Sequence, residues 1–156
     1  MFVIKKNVFL GLDLGEKTLG IAISESGIIV NNLKTLFFNV AQYKELIKPL
    51  TEIINEFHVT KIILGYPKHM NNDIGIKAQI SIDFLNILKS NFNFIEVILW
   101  DERLSTKQAY QFLREGNCKK NKIKNIKDQI AASIILQNYL NYYNNLDIDS
   151  TNKLKQ

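Results

Sequence analysis

The sequence predicts an α/β domain built on one mixed five-stranded sheet, three antiparallel strands followed by two parallel ones, with helices on both faces. Residues 8–38 hold three strand-like runs, VFLGLDL, TLGIAIS and GIIVNNLKTLFF, joined by the short Gly-bearing connections LGEKT and ESG, as antiparallel hairpins require. Two later runs, KIILGYP and FIEVILWDER, are short and apolar nearly to their ends, the pattern of parallel strands covered on both sides. Helical segments alternate with them, so the order β-β-β-α-β-α-β-α-α closes into a single sheet.

The first helical segment, AQYKELIKPLTEIINEFH, places Leu46, Leu50, Ile53, Ile54 and Phe57 at helical spacing, with a restart or kink expected at Pro49. The loop HMNNDIG leads to a helix from Gly75 to Ser90. STKQAYQFLRE opens with Ser105 and Gln108 in capping-box spacing and predicts another helix. The basic, Asn-rich stretch from Asn117 to Lys124 reads as a mobile loop, and IKDQIAASIILQNYLNYY as a strong final helix. Residues 1–143 are thus expected to form the one domain, and 144–156 a polar, flexible tail.

A chain of 156 residues can bury a real core without disulfides but leaves no room for a second catalytic domain. Apolar residues make up 46% and charged ones 22%, a balance that excludes a disordered or membrane-spanning class. No apolar run approaches the ~20 residues needed to cross a bilayer, and MFVIKKNVFLGLD lacks a signal-type segment, so a cytoplasmic protein is expected. The single cysteine, Cys118, excludes an internal disulfide and a cysteine-rich metal site. The net charge of +5 favours polyanions, although many proteins that never touch nucleic acid share it.

Three acids stand where apolar residues would be expected. Asp13 ends the first strand, Asp101 and Glu102 end the last, and Asp128 opens the final helix above an apolar face that includes Ala131, Ala132 and Ile135. Sites of open α/β sheets form beyond the carboxyl ends of strands, so convergence of these acids is geometrically plausible. Gathered carboxylates require a cation or a shared proton, and without a His or Cys cluster the expected partner is Mg²⁺ or Mn²⁺. Such ions can activate water and stabilise a departing phosphodiester oxygen. Each acid also has an ordinary use: Asp13 in turn chemistry, Asp101 and Glu102 in capping the next helix or pairing with Arg103, Asp128 at a helix dipole. His58 and His69 have too few companions to suggest a metal site. Trp100 reads as a core residue, with no aromatic array for stacking single-stranded bases evident beside the acids.

The motifs GLDLGEKTLGIAIS, GYP, WDERLSTKQA and KDQIAASIILQNYL, in that order, make the chain similar to the YqgF (RuvX-like) family. Those proteins resemble Holliday junction resolvases and are described as candidate pre-16S rRNA nucleases with an RNase H-like fold. The resemblance implies a metal-dependent nuclease whose catalytic and metal-binding acids are Asp13, Glu102 and Asp128, with Asp101 as the alternative to its neighbour. Thr18, Glu25 and Asn71-Asn72-Asp73 depart from the family's usual Arg, Asp and Gly-containing turn, which bears on phosphate contacts and loop shape. Gly15, Gly65 and Pro67 would shape the cleft.

Lys17, Arg103, Lys107, Arg114 and the run from Lys119 and Lys120 to Lys127 could gather at the acid-bearing edge and bind phosphates, or form a solvated charged face. The expected partner is pre-rRNA or branched DNA, within or apart from a ribosomal precursor particle, bound by a monomer or homodimer. Two rivals remain: a sugar kinase or actin-like ATPase, which the short chain disfavours, and a noncatalytic nucleic-acid-binding protein of the same fold.

Overall fold

The structure is a computed structural model that describes residues 6–66, 74–101 and 120–154, with backbone alone at 74, 101, 120–125 and 147–154. Five strands form one sheet in the order β3-β2-β1-β4-β5. They are β1 (Phe9–Leu14), β2 (Thr18–Ser24), β3 (Asn31–Phe37), β4 (Lys61–Tyr66) and β5 (Glu96–Asp101). The first three pair antiparallel, and β4 joins β1 and β5 in parallel, as the sequence predicts. Helices α1 (Ile47–Phe57) and α2 (Ile74–Asn91) cover one face and α3 (Lys120–Leu154) the other. None of the described helices is long and apolar enough to cross a membrane.

Period-two alternation sorts each strand between two cores. Leu10 and Leu12 of β1, Leu19 and Ile21 of β2, and Ile62 and Leu64 of β4 pack with Leu50, Ile54, Phe84 and Leu88 on the side of α1 and α2. Phe9, Ala22 and Ile63 instead meet Ala132, Ile135, Leu136, Tyr139 and Leu140 of α3.

Three boundaries differ from the sequence prediction. Strand β3 begins at Asn31, not at Gly27, because the Ser26 hydroxyl accepts hydrogen bonds from the N–H groups of Ile28 (3.1 Å) and Ile29 (3.0 Å) and holds them in a turn. The restart at Pro49 is a change from a 3-10 turn over Tyr43–Leu46 to α1, which places the proline among the first residues of the helix, where its missing N–H costs nothing. Helix α3 starts at Lys120 inside the predicted loop and continues past residue 143 to Leu154. Ile123, Ile126 and Ile130 extend the apolar helical spacing upstream, and Asn144, expected to open the tail, donates to the Gly27 carbonyl at 3.1 Å. The predicted helix at 105–115 lies outside the described residues.

Candidate functional site

Helix α3 reaches the sheet by way of glycines. A Cβ placed on Gly11 would stand 2.8 Å from Leu136 Cβ and 2.9 Å from the Ala132 carbonyl oxygen. At Gly20 it would strike the carbonyl of Asp128 and come within 2.8 Å of Asp128 Cβ. Side chains at either position would hold the helix off, so Gly11 and Gly20 set the height of α3 above the sheet. Gln129 donates to Thr35 Oγ1 at 3.2 Å and the Ser133 hydroxyl to Asn32, which ties the same stretch of helix to the edge strand β3. An irregularity between Ile21 and Ala22 in the β2–β3 register lets Asn32 and Thr35, three residues apart, both meet the helix.

This packing gathers two of the predicted acids. Asp13 alternates with Gly11 along β1, and Gly20 is its partner across the antiparallel ladder. Asp13 therefore emerges on the α3 face beside the point where Asp128 seats on the sheet. Cross-strand geometry and the Gly20 contact put the two β-carbons within about 8 Å of each other. Both residues are partly buried. Ala131 and Ala132, predicted to allow the close approach, are 1% and 0% exposed.

Gly15 turns the chain after β1, donating to the Thr18 carbonyl at 2.7 Å, and Lys17 stands exposed at that hairpin tip, four residues from Asp13. Gly65 lies buried near the end of β4 on the α3 face, alternating with Ile63. The backbone of Asp101 ends β5, and Lys120 begins α3, roughly 12 Å along the helix from Asp128. Glu102, Arg103, Lys107, Arg114, Lys119, Pro67, His69 and Cys118 lie outside the described residues. His58 closes α1 in the left-handed conformation (φ 56°), with its N–H on the Ile54 carbonyl, a structural use.

Among the described residues no three Asp, Glu, His or Cys side chains gather, so Asp13 and Asp128 stand as a pair whose expected third member falls at 102. Among the described residues their donor atoms are carboxylate oxygens alone, the set that hard divalent cations prefer. Two carboxylates in a partly buried position repel each other, and such a cation relieves the repulsion.

Two features of the site are not evident in the predicted motifs. Gly20, midway along a strand, is the seat of Asp128, and a glycine in a strand interior is the available sequence signal. Trp100, predicted as core, packs against the α3-side cluster yet stays partly exposed, edge-on to Tyr139 at 5.4 Å and tilted against Tyr142 at 5.3 Å.

A family model described as "RuvX: Holliday junction resolvase" matches residues 7–142. The chain belongs to this family. A relative from Aster yellows witches'-broom phytoplasma (strain AYWB) is 63% identical over 138 residues, 88% of this chain and 91% of its own. One from Bacillus subtilis (strain 168) is 40% identical over 136 residues, 86% of this chain and 98% of its own. Both are named "Putative pre-16S rRNA nuclease". Among solved structures, Thermus thermophilus RuvC in complex with a Holliday junction superposes with a TM-score of 0.53 at 13% identity, covering 86% of this chain and 93% of that one. Fowlpox virus resolvase with its junction DNA gives 0.53 at 15% identity, covering 87% and 98%. At such identities the likeness is one of fold, and the RuvX chain shares the RNase H-like fold of these resolvases.

Proposed function

We propose that this RuvX-family protein is a divalent-metal-dependent nuclease that hydrolyses phosphodiester bonds of structured nucleic acid, working in the cytoplasm on the end of pre-16S rRNA. The observation that carries the proposal is the meeting of Asp13 and Asp128 over Gly20, at the carboxyl end of β1. The names of the relatives support the RNA substrate.

Asp13, Asp128 and Glu102 would hold Mg²⁺ or Mn²⁺. Bound there, the cation supplies an activated water and charge stabilisation at the departing oxygen. The chain's own part is to fix the two carboxylates by backbone packing, Asp13 through the β1–β2 ladder and Asp128 through the glycine seat. Lys17, at the adjoining hairpin tip, is assigned to the phosphate backbone, as are Arg103, Lys107, Lys119 and Lys120. We assign the third ligand to Glu102 ahead of Asp101, since Glu102 stands at the acid position of the WDER motif that the chain shares with the family. Glu102→Gln should then abolish cleavage while Asp101→Asn has the milder effect.

The test is cleavage of an end-labelled pre-16S leader RNA and of a four-way DNA junction, each with Mg²⁺, Mn²⁺ or a chelator. Metal-dependent cutting of the RNA is the expected result. Symmetric cutting of the junction alone, by a protein whose solution mass is that of a dimer, would favour a resolvase instead. Binding without cutting of either would leave a noncatalytic nucleic-acid-binding protein.

A further inference from the structure

We propose that Trp100 is a base-stacking platform: its indole, flanked by Tyr142, takes the face of an unpaired nucleobase from the strand whose phosphate lies at Asp13. The proposal rests on the nuclease reading and adds the form of nucleic acid that the site accepts, a single-stranded stretch.

Leu12, Leu64 and Leu99 stand level on the three parallel strands, all on the side of α1 and α2. One residue further on stand Asp13, Gly65 and Trp100, on the opposite face. Two interstrand spacings, roughly 10 Å, separate the backbones of Asp13 and Trp100. The residue between them is Gly65, which is buried and adds no side chain of its own. At the ~3.4 Å rise of a stacked strand, a base a few nucleotides from the phosphate at Asp13 reaches the indole.

The aromatic residues around Trp100 close at one end and open at the other. Tyr139 is 6% exposed and stacks with Tyr143 at an interplanar angle of 22°. Trp100 meets Tyr139 at 84° and Tyr142 at 47°, so neither ring lies parallel on the indole, and Tyr142 is 52% exposed. A partly exposed indole level with a metal-binding acid is placed to add base contact to the sequence-blind pull of the phosphates. Stacking of this kind tolerates every base, because each has a π-face, but it needs that face unpaired.

Trp100 is the one tryptophan in the chain, so intrinsic emission reports on it directly. In chelator, where cleavage is stopped, the intact protein would be titrated with a single-stranded RNA octamer and with an abasic octamer of the same charge. The RNA should quench the emission and the abasic strand should not, binding roughly 5- to 150-fold more weakly. Trp100→Leu should bind the two alike, and Trp100→Phe should recover most of the preference for RNA. Equal affinity for both strands with unchanged emission would overturn the platform and leave phosphate binding standing. Binding of neither octamer, by a protein that still cuts the leader RNA with metal, would overturn the platform and leave the nuclease reading standing.

Discussion

The two faces of the sheet are made by the same strands and built on opposite rules. Toward α1 and α2 the strands present Leu10, Leu12, Leu19, Ile21, Ile62 and Leu64, every one of them 0% exposed. Toward α3 the alternate residues include Gly11, Gly20, Ala22 and Gly65, with Asp13 among them. Each large side chain on the first face is worth about 1.5–3 kcal/mol of burial, which holds the sheet together. Smallness on the second face lets a helix backbone touch the strands and leaves room for carboxylates that bulky neighbours would seal off. The second face keeps a core of its own around Phe9 and Ile63, and its small residues make room for chemistry beside that core.

The comparison can be broken from either side. Asp13→Asn or Asp128→Asn should reduce metal-dependent cleavage by about a hundredfold or more while leaving denaturant stability unchanged or raised in chelator, since a like charge has been removed. Leu10→Ala, on the other side of the same strand as Asp13, should do the reverse, costing about 2–5 kcal/mol in a urea melt with little change in cleavage per folded molecule. Gly20→Ala should damage both properties. Its methyl group meets the Asp128 carbonyl, which should cost about 1–3 kcal/mol, and the lifted helix should slow cleavage by about a hundredfold through a displacement near 1 Å.

The smallest effect is one of pH. Burial, with the charges of Glu96 and Tyr143, raises the Tyr139 hydroxyl above its ordinary 10.0. The folded state then holds the proton more tightly than the unfolded chain. That contribution is whole below pH 10 and is lost as pH climbs through the folded value. Tyr139→Phe should remove this loss, so urea melts at pH 9 and pH 11 should differ less in the variant than in the parent.

The strands were legible because apolar runs bounded by Gly turns admit few other readings, and Asp13 and Asp128 because each interrupts an apolar pattern. The start of β3 was not, since Ile28 and Ile29 look like strand residues but are 69% and 65% exposed, drawn into a turn by the Ser26 hydroxyl. The start of α3 was hidden by lysines and asparagines, whose composition suggests a loop while Ile123 and Ile126 keep helical spacing. Gly20 carries no chemistry of its own, and its part becomes visible only once the backbone of Asp128 is seen resting on it. Trp100 has the composition of a core residue, and its exposure follows from its place at the outer end of β5.

The central claim is that the small-residue face brings Asp13 and Asp128 to one cation. It is tested most directly by the melting temperature of the wild-type protein, Asp13→Asn and Asp128→Asn across a titration of Mn²⁺ or Mg²⁺. Binding to the folded state alone should raise the wild-type melting temperature with metal concentration, and both variants should lose most of that rise. A variant that keeps the full wild-type response would show that its acid does not share the ion.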